Sequence, residues 1–233
     1  GEHTNTQDTP RRMVSMSRTE RRSIAEETVR ILQQGSYECQ SSAVDVGAQI
    51  AACTAQTVFY PAAPTQARAE PTTTAPRRQT AFEVVDEGTL DAAQRLAAQG
   101  WRVAALNFAS AKHPGGGFLG GAEAQEENIA RNSGLYASLT SPAARGMYES
   151  RPKDALYSDA MVYSPACPVF REGRTGTLLP SPWTCSFITA AAPNAGVART
   201  RGFEEPEILA ALEQRAEKVL AVAAERGYEA VVL

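Results

Sequence analysis

Histidine is nearly missing from this 233-residue chain, which has only His3 and His113. Two histidines so far apart exclude a multi-histidine metal centre. A Ser-His-Asp site would have to use His113, and no nucleophile elbow accompanies it. Cysteine is also scarce: the four, at positions 39, 53, 167 and 185, lack the close paired spacing of a zinc knuckle or a redox motif. They read as reduced, mostly structural thiols, two of which could bridge if the fold brought them within reach. There is no excess of positive charge, with 23 Lys and Arg against 26 Asp and Glu, a net charge of -3 and a pI near 5.6. A broad basic face wrapping duplex DNA is therefore excluded, whereas a local phosphate pocket is not. No run approaches the ~18 apolar residues of a membrane span. The polar opening Gly1 to Pro10 is not a signal peptide, so the expected address is the cytoplasm.

What is present is ordinary globular composition, 43% hydrophobic and 21% charged, enough for one domain of roughly 200 residues. Residues 1–16 read as a flexible tail and 17–233 as a single domain. Ser17-Arg18-Thr19-Glu20 has capping-box spacing and opens a helix to Gln34, stopped by Gly35. Weaker helical spacing spans Ser41 to Thr57, and Val58 to Tyr60 reads as extended. From Pro61 to Thr80 the Pro, Thr, Ala and Arg composition predicts an exposed loop. Alternation then becomes regular, with strand Phe82 to Val85, helix Thr89 to Gln99 and strand Trp101 to Phe108. A further helix is expected from about Gly121 to Asn132, strands at Met161 to Tyr163 and Phe187 to Ala191, and a long helix to Arg226 before a last strand, Glu229 to Leu233. This alternation implies an α/β sheet.

The chemistry concentrates in His113-Pro114-Gly115-Gly116-Gly117-Phe118, followed by Gln125-Glu126-Glu127-Asn128. A triple glycine between strand and helix suggests backbone amides that cradle a phosphate or diphosphate. It matches neither the Walker nor the dinucleotide pattern. Glu126 and Glu127 are neighbours, so on a helix they diverge by about 100° and should hold different roles. A carboxyl among negative charges has a raised pKa, which suits protonation of a leaving oxygen in glycosidic cleavage. The blander alternative is a solvated face on which Glu127 pairs with Arg131 and complements the helix dipole.

Asn107-Phe108-Ala109-Ser110-Ala111-Lys112 running into the glycines, then Gln125-Glu126-Glu127, then Arg131 to Tyr136, resembles the signature of bacterial-type poly(ADP-ribose) glycohydrolases. Tyr163-Ser164-Pro165, Val169-Phe170-Arg171 and Ala191-Ala192-Pro193-Asn194 resemble further segments of that family in the same order. The resemblance implies a three-layer α/β/α macrodomain-like core with a mixed sheet, residues 81–233, behind an N-terminal helical extension, 17–80. It implies hydrolysis of the ribose-ribose bonds of poly(ADP-ribose), with Glu127 as general acid/base and Glu126 orienting the substrate ribose. Gly115, Gly116, Gly117, Phe118, Gln125, Ser110, Asn107 and Asn194 are the implied substrate contacts. No metal or cofactor is implied. The expected partners are poly(ADP-ribose) and ADP-ribose, with no direct DNA contact, no membrane and a monomeric chain. The alternatives are a non-catalytic ADP-ribose-binding module and a hydrolase of mono-ADP-ribosylated protein. The family commonly has Asn where this chain has Ser110, and continues past its last strand into a second glycine-rich loop. Residues for that loop are absent, so the chain is expected to be truncated and its site open on one side.

Overall fold

A computed structural model describes residues 16–62, 79–149 and 154–233. The expected tail, His3, Arg77-Arg78 and most of the Pro-rich stretch lie outside the described residues. The first helix, α1 (Arg18–Gln34), starts as its sequence demands: Ser17 accepts from the Glu20 amide while the Glu20 carboxylate accepts from the Ser17 amide. Gly35 ends it at φ 75, a left-handed conformation that costs glycine little. A hairpin follows, β1 (Ser36–Cys39) with β2 (Ser42–Asp45). Helix α2 (Gly47–Ala55) and strand β3 (Val58–Tyr60) come next.

The helix expected from Ser41 is thus corrected to a strand that turns helical only at Gly47. Gln40 and Ser41 both take positive φ, 50 and 64, which is what a two-residue hairpin turn needs. Neither is a glycine, so the sequence carries no turn signal there. The strand expected at Phe82 to Val85 is also corrected. That stretch pairs with no described strand, and Phe82 and Val84 are 92% and 99% exposed.

Helix α3 (Thr89–Ala98) leads into β4 (Val103–Phe108). After the glycine loop come α4 (Gln125–Asn132), α5 (Leu135–Leu139) and α6 (Arg145–Glu149). Helix α4 starts later than expected because Phe118–Gly120 forms a 3-10 turn closed by Gly121 at φ 74. Strands β5 (Met161–Arg171) and β6 (Leu178–Ala190) form a long hairpin, far longer than the two short strands expected. Its prolines at 165, 168, 180 and 182 read as breakers. The structure accommodates Pro165 with a shift in register between Ser164 and Cys167, where Ala166 takes φ 44, and keeps Pro168 in register opposite Thr184. Helices α7 (Ala195–Thr200) and α8 (Glu205–Glu225) precede β7 (Ala230–Val232).

The five-stranded sheet has the order β3-β5-β6-β4-β7. Strands β6, β4 and β7 are parallel, and β3-β5 and β5-β6 antiparallel, so the sheet is mixed. One face packs Ala105, Val162, Cys167 and Phe187 against Leu90 of α3, Ile129 of α4, Leu135 and Leu139 of α5 and Cys53 of α2. The other packs Ala104, Leu106, Met161 and Ile188 against Val219, Val222 and Ala223 of α8. Helices therefore cover both faces, the three-layer α/β/α arrangement. Cys53, Cys167 and Cys185 are buried and all four cysteines are free. No described helix is long and apolar enough to cross a membrane.

Candidate active site

Strand β4 is central, so its side chains alternate between two buried faces. Asn107, completely buried, lies on the face of Ala105, at the carboxyl end of the strand. Open α/β sheets place ligands at this end. The Asn107 amide nitrogen donates to Thr189 Oγ1 at 3.2 Å and lies 3.4 Å from Glu126 Oε1. Thr189 pairs with Asn107 across the parallel β4-β6 ladder. Its role was not anticipated, although it stands two residues before the Ala191 to Asn194 stretch that was.

Gln125 opens α4 and fastens it to β4. Its Oε1 accepts from the Phe108 amide at 2.8 Å, and its Nε2 donates to the Leu106 carbonyl at 2.6 Å and to Thr89 Oγ1 at 3.2 Å. The expected substrate contact is thus engaged by the chain's own groups. Phe118, expected beside the diphosphate, is fully buried against Ala25 and Ala130, with its ring edge-on to Tyr136 at 4.8 Å. An apolar ring lowers the free energy most where it leaves water, and here it anchors the loop.

With α4 fixed, its first turn presents Glu126 and Glu127. The Ser110 amide donates to Glu126 Oε2 at 2.6 Å. The Gly117 amide donates to Glu127 Oε1 at 2.8 Å. Adjacency on a helix suggested that the two could not address one atom. The glycine loop folds back over the helix start and removes that limit. A Cβ placed on Gly116 would stand 2.3 Å from Glu127 Oε1 and 3.0 Å from Glu126 Oε2, and Gly116 has φ 60. Both carboxylates therefore close on the bare Cα of one glycine.

The same geometry gives the loop amides partners within the chain. The Gly116 amide is paired with the His113 carbonyl, the Phe118 amide with the Gly115 carbonyl and the Gly117 amide with Glu127, while Gly115 donates to Glu126. Of these four amides two meet carboxylates and two meet main-chain carbonyls.

Burial separates the two acids. Glu126 is 3% exposed, and loss of solvent drives its pKa from 4.5 up to about 7, assisted by the Glu127 charge and opposed by the bonds from Ser110, Asn107 and Gly115. The rise comes first from burial. Glu127 is only partly buried, and its Oε2 carries no hydrogen bond among the described residues. The alternative of a solvated Glu127-Arg131 pair does not hold: Arg131 is 1% exposed and donates to the Ala122 carbonyl at 2.6 Å. Burial and the neighbouring Arg21 charge lower its pKa.

Beside the acids is a cleft of about 500 Å³ between the loops that follow β4 and β6. Ala109 to Lys112 form one wall, Ala192 to Ala195 another, and Tyr157 a third. Ser110 belongs to both places, its amide on Glu126 and its residue in the cleft wall. The Ser110 hydroxyl accepts from the Lys112 and His113 amides at 3.1 and 3.2 Å, which shapes the turn. Asn194 lines the cleft and caps α7, its Oδ1 accepting from the Val197 amide. His113 lies exposed on the loop. Of the expected residues, Asn107, Ser110, Gly115, Gly116, Gly117, Glu126 and Glu127 come together, and Asn194 shares the cleft lining with Ser110.

The family described as microbial-type PARG, catalytic domain, matches residues 25–172. A poly(ADP-ribose) glycohydrolase structure from Thermomonospora curvata is 42% identical, covers 92% of this chain and 79% of its own, and superposes with a TM-score of 0.78. Another structure of the Thermomonospora enzyme, bound to the inhibitor ADP-HPD, is 41% identical, with coverage of 92% and 78% and a TM-score of 0.77. A Deinococcus radiodurans poly(ADP-ribose) glycohydrolase in complex with ADP-ribose is 42% identical, with coverage of 79% and 74% and a TM-score of 0.68. No curated protein matches this chain.

Proposed function

Because this chain belongs to the microbial-type poly(ADP-ribose) glycohydrolase family, and so is a glycosidase acting on poly(ADP-ribose), we propose that it binds the terminal ADP-ribose unit in the cleft with Glu127 as general acid/base and Glu126 as the group that orients the ribose. The observation that carries this division is the contrast between the two carboxyls. Glu126 is buried with both oxygens engaged. Glu127 is held at Oε1 by Gly117 and is partly open. A group that serves first as acid and then as base must meet both the departing oxygen and a water, and only Glu127 has that access.

In this scheme the Glu127 carboxyl gives its proton to the departing ribose oxygen as the glycosidic C–O bond breaks. The carboxylate then takes a proton from a water that adds to the oxocarbenium-like carbon, and the acid is restored. Glu126, protonated near neutral pH, keeps a second negative charge away from Glu127 and presents its carboxyl to the ribose hydroxyls. Glu127→Gln is expected to lower ADP-ribose release from polymer by ~10²-fold or more, while calorimetric binding of ADP-ribose persists. Undiminished turnover in that variant would overturn the assignment.

A further inference from the structure

We propose that Tyr157 is a substrate-positioning residue, its ring forming the cleft wall against which a nucleoside of the ADP-ribose polymer packs; this rests on the reading of the cleft given above. Four described non-glycine residues have left-handed backbone: Gln40, Ser41, Tyr157 and Ala166. The first two make the β1-β2 turn, and Ala166 sits at the irregularity of β5. Tyr157, at φ 58, closes no hairpin and belongs to no strand. A bulky residue in this region is strained and persists only where its surroundings over-determine it, which happens most at ligand sites.

The surroundings do hold it. Asp154 Oδ1 accepts from the amides of Leu156 and Tyr157 at 3.0 and 2.9 Å. The Ala155 carbonyl accepts from the Asn194 amide at 2.8 Å, tying the turn to the loop after β6. The Leu156 carbonyl accepts from Arg215 of α8 at 2.8 Å. Four bonds from three directions thus fix a turn whose product is a half-buried aromatic side chain in the cleft, with Ser110 and Lys112 in the same lining. The Tyr157 hydroxyl makes no hydrogen bond among the described residues. An aromatic face with an unspent hydroxyl suits a nucleoside, which offers a flat base to stack and sugar hydroxyls to bond. A cleft of about 500 Å³ is in the size range of a small-molecule site.

Y157A, Y157G and Y157F separate ring, hydroxyl and backbone. Loss of an aromatic platform should raise KM for polymer by about 10-fold to 100-fold in Y157A and Y157G, with kcat little changed and a smaller rise in Y157F, which keeps the ring and loses the hydroxyl. Y157G should melt above Y157A, because glycine relieves the left-handed strain. Equal KM defects in two variants of unequal stability would tie the effect to the ring. A parallel fall in ADP-ribose affinity by calorimetry assigns the contact to the terminal unit; an unchanged affinity assigns it to the adjacent unit. An unchanged KM in Y157A, or a defect that tracks melting temperature, overturns the proposal. Failure of the parent protein itself to cleave polymer would instead count against the reading of the cleft.

Discussion

Glu126 titrates differently in the folded and unfolded chains, and the difference has a definite sign. Unfolded, the carboxyl loses its proton near pH 4.5; folded, it holds it to about 7. Below 4.5 both states are protonated and the group contributes nothing. As pH rises from 4.5 to 7 the unfolded chain releases the proton and the folded one keeps it, so stability falls, by about 3 kcal/mol once the window is crossed. Glu126→Gln, which stays neutral, should therefore leave stability unchanged near pH 4 and raise it above pH 7. Denaturant midpoints of both proteins between pH 4 and 8 test this, and parallel curves would show that burial of Glu126 carries no such cost. The two acids and the three glycines could be singled out by type and spacing alone. Their mutual geometry could not, because it depends on Gly116 at φ 60 lying between two oxygens, a contact between residues ten and eleven positions apart. Tyr157 escaped notice for a related reason: its left-handed turn is set by Asp154 and not by a glycine.

At the scale of elements, the position of α4 on β4 decides where Glu126 and Glu127 stand relative to Ser110 in the cleft wall, and Gln125 is the fastening. Its bonds to Phe108, Leu106 and Thr89 join the first turn of the helix to the strand end and to α3. Gln125→Ala leaves a strand-end amide and carbonyl without these partners, at about 1–3 kcal/mol for a buried group left unsatisfied. We expect a stability loss of about 2 kcal/mol by denaturant titration and a clear fall in turnover. Stability lost with turnover intact would show that the acids are placed without this tether. Helices α1, α3 and α8 were legible because their caps and stops, such as Ser17 and Gly35, are local. The β1-β2 hairpin and the long β5-β6 hairpin were not, since their turns and irregularities use Gln40, Ser41 and Ala166, which carry no signal for positive φ. Phe82 to Val85 misled because β-forming residues make a strand only where a neighbour takes up their backbone groups.

For the whole molecule, the N-terminal helix and the glycine loop are joined side chain to backbone although about a hundred residues separate them. Arg18 and Arg21 of α1 each donate through Nε, at 2.9 Å, to the carbonyls of Gly120 and Gly121. Arg21 also pairs with Glu123 at 2.7 Å, and Thr28 donates to the Arg131 carbonyl at 2.6 Å inside the core. A Cβ on Gly121 would stand 2.3 Å from the Arg18 carbonyl oxygen, so helix and loop meet with no space between them. Strand β3, from the same N-terminal region, hydrogen-bonds to β5 within the main sheet. We therefore expect α1 to set the position of the loop that holds Glu127, and not merely to cover it. Arg18→Ala with Arg21→Ala should accelerate amide exchange across 117–121 and lower kcat by about tenfold or more, since small misplacements of reacting groups are costly. Arg18 reaches the carbonyl of the exposed Gly120, so its loss should cost little stability, whereas Arg21, largely buried and bonded to the buried Gly121, should account for most of what is lost. Unchanged exchange in the loop together with unchanged kcat would reduce α1 to packing alone. Slowed catalysis with faster loop exchange would show that α1 positions the loop that holds Glu127.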